Sequence, residues 1–271
     1  MSGAVTKVVY CLSKDCNLSP DWLTYVPSQA AGWTVGGIVV LIAALSIIPT
    51  FYKGEMRLVH GTDSFYLLAV SLFLRSVINY RSVNATAAYR ASLFFNYYTA
   101  ICLHEQVVSA LFRYTVKFNV RSEPLNIPIS LAHFIVFTLL IPAVIIMFNY
   151  GDGVDPSVHL IRTVLFSILV MSLVVIVKAL AIDIRKPNCI KRALLVSVLP
   201  RNLLFIMWAS FMISRTLAPL DSVARSSEVT FYLLNIFILV LAGIAHESVS
   251  ELVIFEPVAP SFKLIRVYQP V

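Results

Sequence analysis

Between Arg162 and Lys178 the chain carries no charged residue, and apolar runs of this kind recur along its whole length. Each is roughly 20 residues long, enough for an α-helix to cross a hydrocarbon core about 30 Å thick. Of the 271 residues, 59% are apolar and only 13% are charged. A soluble domain carries about 25% charged residues. The charges needed to solvate such a surface are missing, so the chain is expected to be an all-α integral membrane protein. Its net charge of +7 belongs to loops that face anionic headgroups, because no basic domain stands apart from the spans. Nucleic acid is therefore not an expected partner.

The pattern predicts seven spans. They are roughly 33–51, 64–80, 91–116, 127–150, 160–182, 193–217 and 229–244, with Thr62 or Asp63 capping the second and Pro200 kinking the sixth. Residues 1–31 form an outer N-terminal segment, 32–246 a seven-transmembrane-helix bundle and 247–271 a cytoplasmic C-terminal tail. The N-terminus lacks the long apolar core of a cleaved signal peptide, so the first span is expected to act as the targeting signal. With the N-terminus outside, twelve lysines and arginines fall on the cytoplasmic side and seven on the outer side. The loop DIRKPNCIKR, residues 183–192, is the strongest cytoplasmic mark. The sequons at Asn17 and Asn84 then both fall outside, as do Cys11 and Cys16, where a disulfide or two free thiols can stand. No zinc-ligand spacing appears among the four cysteines.

Polar residues inside the spans are the candidates for function. The stretch ICLHEQVVSALFRY, residues 101–114, places His104, Glu105 and Gln106 near the middle of the third span. Glu105 lies about 13 residues, or about 20 Å, below the outer surface, too deep to reach the headgroups. It is expected to be protonated or partnered, with Arg75 of the neighbouring span as the natural partner and Lys178 or His133 as others. Two readings stay open. One is a buried network that fixes helix packing. The other is a polar cavity that binds a ligand headgroup or relays protons. Arg113, Lys178 and Arg201 lie near the cytoplasmic ends and Arg215 near the outer end of the sixth span, where their stems are expected to reach the headgroups.

Several chemistries are excluded. HEQVV begins like the His-Glu-x-x-His zinc motif, but Val108 stands where the second histidine belongs. The seventh span has no lysine for a retinal Schiff base, and no phosphate-binding glycine loop is present. No catalytic residue, metal site or cofactor is assigned, and an enzyme is not expected. Phe112-Arg113-Tyr114 resembles part of the Asp-Arg-Tyr motif of G-protein-coupled receptors, without its acid. A receptor-like protein coupling an outer ligand to a cytoplasmic signalling partner is therefore the alternative reading.

LTYVPSQAAGW, residues 23–33, resembles the opening of the fungal lipid-translocating exporters, the resistance-to-aminocholesterol family. Tyr25, Pro27 and Ser28 carry that likeness. Arg75 resembles the arginine of that family's second span. SALFRY is similar to the end of its third. Arg215, Glu228, Tyr232 and His246 resemble its last-loop and seventh-span series. The chain departs from the family at Pro219, in HFIVFTLLIPAV of the fourth span, and at His104–Glu105. The resemblance implies seven spans in the plasma membrane or another secretory-pathway membrane, and a role in moving or sensing amphipathic lipids such as sphingoid bases, or in membrane-stress resistance. Membrane lipids or an amphipathic small molecule would be the partner. Arg75, His104, Glu105, Gln106, Arg215 and Glu228 are the candidate ligand-binding residues.

Overall fold

The computed structural model describes residues 27–53, 59–77, 85–117, 155–185, 198–218 and 222–245, with 131–146 in part. These residues are helical apart from short connecting turns and bends, with no strand among them. Helix α1 is Gln29–Lys53, α2 is Val59–Ser76 and α3 is Ala85–Lys117. The helical residues within 131–146 belong to α4, α5 is Asp155–Arg185 and α6 is Leu199–Leu217. A one-turn helix, Val223–Ser226, leads to α7, which opens as an α-helix at Glu228–Phe231, continues as a π-helix over Tyr232–Phe237 and returns to α-helix through 245. Among the described residues, three stretches are long and apolar enough to cross a membrane: Gln29–Ile48, His159–Ala181 and Glu228–Ala245. Helices α2, α3 and α6 are long as well, α3 reaching about 50 Å at 1.5 Å per residue, but they carry charges in their interiors.

The surface of the bundle is greasy. Val170, Val177, Leu203, Met207, Leu233 and Phe237 all stand exposed, Val177 by 66%. Soluble proteins avoid contiguous apolar exposure on this scale, whereas lipid tails match it. This is a membrane protein. The polar residues are turned inward instead: Arg75, His104, Gln106, Lys178, Arg201, Asn202, Arg215 and Asn235 are all buried.

Packing runs α1 on α2, α2 on α3 and α5 on α6, with α3 meeting both α5 and α6 and α6 meeting α7. Without a hydrophobic drive between helices in lipid, small residues decide where backbones approach. Gly32 and Gly36 form a GxxxG stripe on α1. A Cβ on Gly32 would fall 2.6 Å from Ser76 Cβ, and one on Gly36 2.6 Å from Phe73 Cε1. Trp33 lies against Phe73 with ring centroids 5.0 Å apart. On the far half of α7, Gly243 does the same for α2: its Cβ would fall 2.5 Å from Phe65 Cζ. Polar bonds add register. The Ser71 hydroxyl donates to the Ser92 carbonyl at 2.7 Å across α2 and α3. Arg162 donates through Nη2 to the Thr216 carbonyl at 2.7 Å across α5 and α6.

The structure corrects four expectations. Glu105 is exposed on the outer face of α3 and does not point into the bundle. The buried stripe of α3 runs through Tyr97, Ala100, His104, Val107 and Leu111, and consecutive residues stand about 100° apart, so the stripe that buries His104 turns Glu105 outward. Lys178, Arg201 and Arg215 are buried at 3%, 2% and 6% exposure and are not stretched toward headgroups. Lys178 shares a stripe with Ile168, Met171 and Val175, and Arg201 shares one with Phe205, Trp208 and Met212. Thr62 and Asp63 lie inside α2, which begins upstream at Val59, so neither caps it. Pro200 sits in the first turn of α6, where its missing N–H leaves no helical bond unmade. Asn17, Asn84, Cys11, Cys16, His133 and His246 lie outside the described residues, as does the side chain of Arg113.

Candidate functional site

The ends of α2 and α6 and the start of α7 meet at one end of the bundle, because α2 and α6 run antiparallel to α1, α3, α5 and α7. Each supplies one group. Arg75 comes from the last turn of α2 and Arg215 from the last turn of α6. Phe231 comes from the first turns of α7. The guanidinium carbon of Arg75 stands 4.0 Å from the centroid of the Phe231 ring, and that of Arg215 stands 5.0 Å from it. Both arginines are nearly inaccessible, at 1% and 6% exposure, and Phe231 is 3% exposed. Burying one guanidinium costs several kcal/mol and burying two adds their mutual repulsion. A ring face offsets part of this, at about 2 kcal/mol per cation when the pair is desolvated. The remainder falls to hydrogen bonds, and here the site is incomplete. Arg215 Nη1 is buried with no hydrogen-bond partner among the described residues.

Below this level the interior stays polar. Tyr97 of α3 lies in electrostatic range of Arg215 and meets Trp208 of α6 edge-on, with centroids 6.3 Å apart. Trp208 Nε1 donates to Asn235 Oδ1 at 2.6 Å. Asn235 sits one turn beyond Phe231, within the π-helical segment. A π-turn inserts one extra residue into a helix and is frequently found at functional sites. Among the described residues Asn235 Nδ2 has no hydrogen-bond partner, nor does either amide atom of Asn96, the neighbour of Tyr97 on α3. Both asparagines are at most 2% exposed.

Glu228 frames the same end. Its Oε1 accepts from the Ser28 backbone N–H at 2.8 Å, tying α7 to the start of α1. Ser28 in turn caps α1, its hydroxyl accepting from the Ala31 N–H at 3.2 Å. Ser227 caps α7 in the same manner through the Thr230 N–H. Glu228 is therefore engaged in structure and stands in the first turn of α7, where the helix dipole favours its charge.

The remaining candidates lie elsewhere. His104 Nε2 bonds the Ser172 hydroxyl at 2.9 Å and its ring meets Phe205 edge-on at 5.1 Å, joining α3, α5 and α6 deep in the bundle. Gln106 Nε2 donates to Ser64 of α2 at 3.3 Å. Glu105 faces away from both. The structure thus brings together Arg75 and Arg215 on the Phe231 ring, leaves Glu228 on the Ser28 amide at the same end, and separates His104, Glu105 and Gln106 onto three faces of α3. Phe231, Tyr97, Trp208 and Asn235 were not among the sequence candidates. Asn235 carried a signal, as an amide in an apolar span. Phe231 carried none, being one of 17 phenylalanines. Among the described residues no group of three or more His, Cys, Asp or Glu side chains is placed to hold a metal ion. No family model matches the chain, and neither the curated proteins nor the solved structures contain a significant match.

Proposed function

We propose that this chain crosses the membrane seven times, with its N-terminus outside and its C-terminus in the cytoplasm, and that it moves or senses amphipathic lipids without enzyme chemistry. The observation that carries the reading is Phe231 in contact with two buried guanidiniums, that of Arg215 with Nη1 unpartnered among the described residues, inside a bundle whose outer surface is apolar. A polar cluster near one end of such a bundle suits a headgroup, while the exposed apolar faces suit the chains. The resemblance to the lipid-translocating exporters points the same way. Its marker residues Ser28, Arg75, Arg215 and Glu228 lie at one end of the fold, and Glu228 bonds Ser28 directly. The seven-crossing topology has its own support in the excess of lysine and arginine assigned to the cytoplasmic side. The receptor-like alternative rests on the side chain of Arg113 and the loop 183–192, and no described residue favours it.

The test is transbilayer lipid movement in vesicles holding the purified chain. Fluorescent phospholipids and a fluorescent long-chain amine are followed by chemical quenching of the outer leaflet. Wild-type vesicles should lose protection of at least one probe faster than empty vesicles. Arg215→Gln should slow that loss at equal protein content, and Glu105→Gln, on the lipid-facing side of α3, should leave it unchanged. Equal rates in empty and loaded vesicles for every probe would overturn lipid movement, and a dependence on Glu105 without one on Arg215 would move the site elsewhere.

A further inference from the structure

Exposed positions on α5, α6 and α7 such as Val177, Met207 and Phe237 are apolar. The outward side of α2 and α3 differs. Asp63 on α2 and Glu105 on α3 are both exposed. Gln106 Nε2 donates to Ser64 at 3.3 Å, so their neighbours Glu105 and Asp63 stand at one level of the α2–α3 pair. Cys102, half-buried one turn before Glu105, lies in electrostatic range of both carboxylates. Tyr98 lies in range of Glu105 as well, and Tyr66, one turn after Asp63, is 40% exposed. Neither carboxylate has a hydrogen bond or ion pair among the described residues. Acidic residues in a membrane are costly and almost always have a partner. The charge this patch needs is positive.

The far end of α7 stands next to it. A Cβ on Gly243 would fall 2.5 Å from Phe65 Cζ, and Phe65 is two residues from Asp63. The described part of α7 ends at Ala245, so the chain from 246 onward sets out beside the start of α2. Its first stretch carries Glu247, Glu251 and Glu256 and no lysine or arginine. After Pro257 and Pro260 the charge changes sign. Phe262-Lys263-Leu264-Ile265-Arg266-Val267-Tyr268 holds two cations among apolar residues and no acid. The chain from 245 to 263 spans about 60 Å when extended, which is ample for the reach. We infer that segment 262–268 of the same chain covers the acidic patch, with Lys263 and Arg266 on Asp63 and Glu105 and its apolar residues toward lipid. Such pairs gain far more in a medium of low dielectric than in water. Arg75 lies at the opposite end of α2, so the cover leaves the arginine cluster as it is and does not depend on lipid handling. It fastens the far end of α7 to α2 and α3.

The test uses the full chain at one copy per lipid nanodisc. A water-soluble carbodiimide joins a lysine amine to a carboxylate that touches it: the amide C–N bond forms, and the lost oxygen leaves on the urea. The joined peptides are mapped by mass spectrometry. Wild type should join Lys263 to Asp63 or Glu105, and the product should be lost when Asp63→Asn and Glu105→Gln are combined. A second readout is a spin label on Val267→Cys, with the four native cysteines changed to serine. The label should be immobilised in the otherwise native chain. It should be freed by the two carboxylate changes, and equally by Lys263→Gln with Arg266→Gln. The latter pair leaves the bundle untouched, so it answers even where the carboxylate variants fail to fold.

Lys263 joined only to Glu247, Glu251 or Glu256 would overturn the cover. Products that form only in discs holding two copies would give the patch to a second chain and overturn the same-chain occupant. A label whose mobility none of these substitutions changes would overturn the contact itself.

Discussion

Phe231 shows how one ring can hold a site together. Two guanidiniums face it, so its removal exposes them to each other as well as to a cavity. Phe231→Ala should cost about 3–5 kcal/mol, the usual range for emptying a buried aromatic position. Phe231→Leu is more telling, because it keeps most of the volume and loses the ring face. It should still cost about 2 kcal/mol or more, since both cation–π contacts go. Thermal unfolding in one detergent, read by tryptophan fluorescence, measures both. A Leu variant that melts with wild type would make the ring mere filler. The sequence showed the charged members of this group and hid the ring. Arg75 could be named in advance as an arginine inside an apolar span, and Arg215 and Glu228 through the resemblance to the exporters. Phe231 is indistinguishable from its neighbours until its partners are seen. Glu105 was misread for a related reason. Its depth in α3 was legible, but the direction it faces depends on which stripe of α3 the other helices cover.

At the scale of elements, α1 and α6 carry their packing in plain periodicity. On α1 the stripe Gly32, Gly36, Val39 and Ala43 is buried against α2, and Gly37 is on the opposite face with open space around it. Gly36→Ala should push against Phe73 and cost about 1–3 kcal/mol, as overpacking does. Gly37→Ala should be neutral, or stabilising by up to about 1 kcal/mol through helix propensity. Differential scanning of the two variants in the same detergent checks the contrast, and equal melting temperatures would contradict the α1–α2 packing. On α6 the positions Arg201, Phe205, Trp208, Met212 and Arg215 follow one helical stripe, and all five are buried. That spacing stands in the sequence, yet the place of Arg201 near a helix end pointed to the headgroups, and only the packing of the other helices shows that the stripe decides. The π-helical segment of α7 was not readable. Nothing in Tyr-Leu-Leu-Asn-Ile-Phe departs from ordinary helix chemistry, and the π geometry shows only in the structure.

For the whole molecule, composition alone led to a membrane protein, and the structure agrees through an apolar surface and a polar interior. Among the described residues, three helices meet the length and hydropathy expected of a crossing. Helices α2, α3 and α6 carry charges within them, of which the bundle buries Arg75, Arg201 and Arg215 and leaves Asp63 and Glu105 outside, and that spreads the candidate residues. His104, with Ser172 and Phe205, lies deep between α3, α5 and α6. Arg75 and Arg215 meet at one end of the bundle. Sequence spacing could place each of these at a depth, but it could not join residues from α2, α6 and α7 around one ring.

The central claim is that a lipid headgroup sits between Arg75, Arg215 and Phe231. Photo-crosslinking tests it most directly. A phospholipid carrying a photoactivatable headgroup is bound to the full chain in nanodiscs, irradiated, and its adducts are mapped by mass spectrometry. The expected adducts fall on peptides that contain Arg215, Phe231 and Asn235, and they fade in Arg215→Gln. Adducts confined to lipid-facing residues such as Glu105, Val177 and Leu233, unchanged by Arg215→Gln, would contradict it.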